Sequence, residues 1–203
     1  MENTALNSEE KRVLLKDYNH RLNNDLQALL AFIKIKKRFG IDDAEIIDFM
    51  CVSIASVSAI QNLMYSSDND ENQISTAEFF EEFIKILDDQ YLKSNIGFSH
   101  EIKEDFLLNP KKTFHLMCLI NEMVNLSIAF SFGDDSQNRI SFSLEKIDEE
   151  CLLSYSDNGS GIKQAISESD VRNLLFDQLI KQIDGTLESS DDSVMSIKFP
   201  VKL

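Results

Sequence analysis

The chain has 203 residues, 43% of them apolar, which is enough for one large domain or two small ones with a real core and excludes global disorder. Its formal net charge of -15 argues against nucleic acid and against an anionic membrane surface, because both require a surplus of Lys and Arg. The opening MENTALNSEEK has no basic segment followed by an apolar one, so no signal peptide is expected. The longest apolar stretches fall short of the roughly 20 residues that span a bilayer, and a cytoplasmic location is expected. Cys51, Cys118 and Cys151 are widely spaced and form no C-x-x-C pair, which points to a reducing compartment and buried, unreactive thiols. Three scattered histidines offer no metal site.

Ser8 is a suitable N-cap, with Glu9 and Glu10 in the first turn of a helix that contains neither Gly nor Pro up to Gly40. The basic cluster Lys36, Lys37 and Arg38 precedes that glycine, as expected near a helix C-terminus. Asp42 or Asp43 caps a second helix, whose residues Ile46, Ile47, Met50, Ile54, Val57, Ile60 and Met64 form an apolar face. The connection is short, so the two helices form an antiparallel hairpin. The polar, acidic segment 66–73 reads as a linker. Beyond it, Ser75 and Glu78 make a capping box before a helix to about Tyr91, and IGFSHEI is a strand. Asn109-Pro110 opens a helix to about Phe132. RISFSLEKI and CLLSYSD are strands, Asp170 to about Ile183 is a helix, and GTLESS and VMSIKFPV are closing strands. The hairpin's apolar stripe needs a cover, and a symmetric dimer forming a four-helix bundle supplies it.

On the first helix Leu15, Tyr18, Leu22, Leu26, Leu29 and Ile33 recur at helical spacing, and His20 falls roughly 160° from the centre of that stripe. Asp17, Asn24 and Gln27 share its side. A neutral imidazole is a competent phosphoryl acceptor near neutral pH if a partner can approach it. Asp17, one turn before, is placed to fix the tautomer; Asn24, one turn after, to orient a water or a phosphoryl oxygen. By themselves such residues more often form an ordinary polar surface. His100 and His115 read as packing or surface residues.

The segment DYNHRLNNDLQALLAFIKIKKR resembles the phosphoacceptor box of a histidine kinase subfamily, roughly E-[LI]-[NH]-H-R-V-K-N-x-L-Q. Asp17, Asn19, His20, Arg21, Leu22, Asn24, Leu26 and Gln27 fit identically or conservatively; Tyr18 and Asn23 depart from it. The resemblance makes His20 the phosphoacceptor, within a catalytic set of Asp17, His20, Arg21 and Asn24. It also implies an ATP-binding domain of the GHKL (Bergerat) type after the hairpin. YSDNGSGI looks like that domain's D-x-G-x-G box, with Asp157, Gly159 and Gly161. LINEMVNLSIAFSF looks like its helix L-N-E-L-V-x-N-A-x-K-x-A-F, where Asn121 and Glu122 match. The family's metal-holding Asn falls on Leu126, with Asn125 the adjacent alternative, and its Lys falls on Ala129. The glycine that should open the later helix is replaced in the vicinity of Val171, Arg172 and Asn173, and the segment after Ile162 is too short for a Gly-rich lid.

The expectation is therefore an α+β chain with a dimerising histidine-phosphotransfer hairpin over residues 1–67. A degenerate histidine-kinase-like α/β sandwich follows over residues 74–203. His20 would relay phosphoryl groups between response-regulator receiver domains, with Mg²⁺ in the receiver and no cofactor or metal in this chain. Asp157, Gly159, Gly161 and Glu122 would be a vestigial nucleotide site. Two alternatives remain: a soluble kinase that autophosphorylates on His20 with ATP, and a non-catalytic adaptor that binds response regulators.

Overall fold

The computed structural model describes residues 8–66, 73–133, 137–162, 170–190 and 194–201. Helix α1 (Ser8–Arg38) and helix α2 (Asp43–Ser66) form the hairpin. Gly40 has φ +73°. Its N–H donates to Lys37 O, and Ile41 N–H donates to Lys36 O at 3.1 Å, a Schellman termination that returns the chain along α1. A left-handed residue there explains why the helix stops at this glycine.

The short strand β1 (Ile74–Ser75) pairs antiparallel with β3 (Leu107–Leu108). Helix α3 (Thr76–Gln90) begins where Ser75 Oγ accepts from Glu78 N–H, and it buries Phe79, Phe80, Phe83 and Leu87 on one face. Strand β2 (Ile96–Ile102) leads through β3 to helix α4 (Pro110–Leu126), capped by Asn109 Oδ1 accepting from Lys112 N–H. Strands β4 (Asn138–Ile147) and β5 (Glu150–Asp157), helix α5 (Asp170–Gln182), and strands β6 (Thr186–Ser190) and β7 (Val194–Pro200) complete the order. The sheet runs β2-β4-β5-β7-β6, with β2 and β4 parallel and every other pair antiparallel. The parallel pair is possible because the crossover between β2 and β4 carries α4.

Helix α4 is buried on nearly every side. A helix buried all round must lie between two layers. It packs against α2 and α5, and Lys112 Nζ reaches Pro200 O of β7 at 2.6 Å. One continuous core runs from Leu29 of α1 and Phe49, Val52 and Ile60 of α2 to Phe199 of β7. By length and composition alone, Asp43–Met64 of α2 and Pro110–Ser131, α4 with the turn that follows it, are long and apolar enough to cross a membrane, where no such stretch was expected, but the second lies in the interior here.

Four other expectations change. The α-helix opened by Asn109-Pro110 ends at Leu126 and continues as a π turn over Ser127–Ser131, not as regular helix to Phe132. Lys36, read from the sequence only as part of the basic end of α1, is 1% exposed. Cys51 is exposed, whereas Cys118 and Cys151 are buried as anticipated. Of the α1 stripe, Leu29 is buried but Leu26 is exposed, and the side chains of Leu15 and Tyr18 lie outside the described ones. The linker residues 67–72 and the short segment 163–169 also lie outside the described residues.

Replacing Gly40 with Ala meets no neighbouring atom, so the cost is conformational alone. Gly40→Ala is expected to lower unfolding stability by about 1–2 kcal/mol, read from urea midpoints. An unchanged midpoint would contradict the Schellman assignment.

Candidate functional site

His20 is exposed on α1. Nine residues separate it from buried Leu29, which at about 100° per residue places it on the opposite side of the helix. Asn24 is exposed beside it, and Arg21 is half-buried toward α4. Arg21 and Asn24 both line a cleft between the hairpin and the first turns of α4. Asp17 lies one turn before His20 on α1, and its side chain is outside the described ones. The structure thus gathers His20, Arg21 and Asn24 on one accessible stretch of helix.

The residues of the expected nucleotide site are brought together differently. Asp157 ends β5 and is 7% exposed. Its Oδ1 accepts from Ser131 Oγ at 2.5 Å and Gly159 N–H at 2.9 Å, and its Oδ2 accepts from Ser127 Oγ at 2.7 Å. A carboxylate offers about four acceptor positions, so most are already used inside the protein. Gly161 N–H donates to Ser131 Oγ at 2.7 Å. A Cβ on Gly159 would lie 2.2 Å from Ser131 O, so the glycine admits this chain's own backbone and leaves no room for a ligand at that point. Tyr155 OH adds a 2.6 Å contact with Ser127 Oγ and donates to Met123 O.

Ser127 and Ser131 are the residues that sequence reading passed over. In the helix pattern quoted above they stand where the resemblance has alanine. Each supplies a hydroxyl donor, and the π turn carries both against Asp157. The signal was legible as two Ala-to-Ser exchanges four residues apart, on one helical face.

Glu122 stands apart from Asp157's cluster. Its Oε2 lies 2.5 Å from Lys36 Nζ, an ion pair by distance though not aligned as a hydrogen bond. Lys36 Nζ also donates to Glu45 Oε1 at 3.1 Å. Arg172 engages Glu45 through both terminal nitrogens, at 3.2 and 2.9 Å, and its guanidinium lies 4.4 Å from the Phe130 ring centroid. Burial alone would raise the Glu45 carboxyl, but Arg172 and Lys36 outweigh it and hold it below the ordinary range. Near the start of α5, where a phosphate would need helix-terminal N–H groups, the described cation Arg172 is committed to α2. Asn121 donates to Phe49 O and Ser53 Oγ of α2, each at 3.0 Å. Leu126 is wholly buried. Asn125, the adjacent alternative ligand, is also buried, donates to Asn121 O and accepts from Tyr91 OH. Asn121, Glu122 and Arg172 are therefore spent holding the hairpin to the sandwich, and Asn125 is paired within it.

No family model matches the chain, and no curated protein matches it. Solved structures do. The histidine kinase domain of the blue-light-activated kinase EL346 from Erythrobacter litoralis superposes with a TM-score of 0.66 at 11% identity, covering 92% of this chain and 96% of that one. The longer structure of the same kinase gives a TM-score of 0.70 at 12% identity, with 98% of this chain against 62% of that one. The Acinetobacter baumannii histidine kinase AdeS gives 0.50 at 14% identity, covering 90% and 98%. At these identities the likeness is one of fold: the chain has the architecture of histidine kinase domains, hairpin and α/β sandwich together.

Lys36→Met leaves Glu122 buried without a counter-charge and is expected to cost about 3–5 kcal/mol of unfolding free energy. The double replacement Lys36→Met with Glu122→Leu should recover most of that loss. Equal losses in the single and double variants would show that the ion pair is not what matters. Because the folded Glu45 carboxyl is depressed, its contribution is full above the unfolded value and is lost as pH falls through the folded one. Glu45→Gln should therefore flatten the acid limb of a stability-versus-pH curve, below about pH 4.5.

Proposed function

We propose that this chain is a dimeric histidine phosphotransferase of a two-component phosphorelay. The carrying observation is a contrast: His20 is presented to solvent with Arg21 and Asn24 beside it, while Asp157 is occupied by Ser127 and Ser131. A receiver domain bearing an aspartyl phosphate docks on the hairpin. A ring nitrogen of His20 attacks phosphorus, the N–P bond forms, and the P–O bond to the aspartyl carboxylate breaks. Arg21 and Asn24 hold phosphoryl oxygens, and a Mg²⁺ in the receiver would supply charge neutralisation. The reverse step on a second receiver returns the group to an Asp side chain. Asp17 orients the imidazole.

The dimer reading rests on the uncovered face of the hairpin. Leu26 and Leu30 of α1 and Ile47 and Ile54 of α2 are all exposed. Leu22, Leu26, Ile54 and Val57 line one shallow groove. A second copy presenting the same face closes a four-helix bundle and removes this surface from water. Leu30→Glu combined with Ile54→Glu should convert the dimer to a monomer in sedimentation analysis. An unchanged dimer would place the interface elsewhere.

A kinase reading has one observation in its favour, the fold shared with histidine kinases. Radiolabelled phosphate separates the two. Label should reach the protein from a phosphorylated receiver domain, not from ATP-Mg²⁺, and should be absent from His20→Ala. Label acquired from ATP alone would overturn the relay. Label by neither route would leave a non-catalytic binder of response regulators.

A further inference from the structure

Helix α1 is charged against the trend of the chain. It carries eight of the 20 Lys and Arg and four of the 35 Asp and Glu, which leaves 12 cations against 31 carboxylates everywhere else. Much of that surplus lies on the side that bears His20. At about 100° per residue Lys16 and Lys34 each fall roughly 40° to one side of His20, and Arg38 falls in line with it. All four are exposed. Asn23, Asn24, Gln27 and Ala31 occupy the strip between Lys16 and Lys34, exposed and uncharged. From Lys16 to Arg38 the strip runs about 33 Å at the helical rise. In that span Asp17 is the one carboxylate that the sequence puts within about 60° of His20.

The cations of this strip are also unmatched. Elsewhere Lys85, Lys103 and Lys198 pair with Glu82, Glu145 and Glu150, and Lys36 and Arg172 pair in the interior. Among the described residues no carboxylate pairs with Lys16, Lys34 or Arg38. Like charges left open in a row attract an anionic surface and raise its rate of encounter. We infer that this strip docks the acidic face of a receiver domain, and that charge guides the approach before His20 is engaged. The identity of that partner rests on the phosphotransferase reading; its acidity rests on the strip. A receiver that presents an aspartyl phosphate and holds Mg²⁺ gathers carboxylates around an anionic phosphoryl group, so negative charge lies where His20 must reach. Lys34 and Arg38 stand about 21 and 27 Å along the helix from His20, too far to touch the transferring group. Their effect therefore falls on association and its salt dependence, not on the chemical step.

Two double variants of the full chain test this. Lys34→Glu with Arg38→Glu reverses the charge, and Lys34→Gln with Arg38→Gln removes it with less disturbance of the helix end. Both alter exposed side chains and should fold as the parent does. The probe is a peptide of about 20 glutamates, titrated at an ionic strength of about 20 mM and followed by the amide resonances of α1. The peptide should bind saturably and shift α1, about tenfold or more weaker in each variant, and should be released by about 0.5 M salt. Absent binding, shifts confined to other elements, or affinity kept by both variants would overturn the inference. So would tighter binding of phosphatidylserine vesicles or of single-stranded DNA, which would mark an unselective anion surface. Phosphoramidate, a small phosphoryl donor that needs no docking face, separates this inference from the relay itself. It should label His20 equally in the parent and in both variants. Labelling lost in the variants would put Lys34 and Arg38 in the chemistry and overturn their docking role. A parent His20 that takes no label would count against the relay and leave the acidic docking strip standing on the peptide result.

Discussion

Two cations and two carboxylates, Lys36, Arg172, Glu45 and Glu122, meet inside this protein and join the two helices of the hairpin to α4 and α5, which lie far along the chain. Glu45 and Arg172 are 127 residues apart. Such a cluster does not simply add stability, because each ion gives up hydration to enter the interior. Its stronger effect is specificity: any arrangement of hairpin and sandwich that separates the partners strands a buried charge. The apolar packing of α2 on α3 and α4 would tolerate small shifts, whereas the bidentate grip of Arg172 on Glu45 would not.

That constraint fixes how the α/β half, which has the fold of histidine kinase domains, sits on the hairpin. Asn121 and Glu122, which the resemblance in the sequence would assign to a nucleotide site, here both face the hairpin. Asp157 keeps its place at the end of a central strand, but two hydroxyls from the π turn fill its acceptor positions. Asn121, Glu122 and Arg172 join the hairpin to the sandwich. Under the proposed function, a rigid joint suits a protein whose phosphoacceptor stands on the outer surface of α1. In that arrangement the sandwich supports the hairpin and does not need to reach His20.

Much of this was legible in the sequence. Gly40 marked the end of α1, Ser75 and Asn109 marked helix starts, and alternation marked the long strands of the sheet; each of these signals is local and depends on backbone chemistry alone. The exposure of His20 followed from helical periodicity. Other features were not legible because they depend on neighbours distant in the chain. Lys36 looked like an ordinary helix-end cation because its partners lie on α2 and α4. Leu26 looked like core because periodicity identifies an apolar face without saying whether this chain or another copy covers it. Strands β1 and β3, two residues each, are too short to show alternation. Ser127 and Ser131 were passed over because serine in a helix is unremarkable until the residue it faces is known.

The central claim is that the protein's own side chains close the nucleotide site. Equilibrium dialysis of the full chain against ATP with Mg²⁺, at nucleotide concentrations into the millimolar range, tests it most directly. A closed site gives no saturable binding. Saturable binding near one nucleotide per chain, lost in Asp157→Asn, would contradict it and restore the site to a working role.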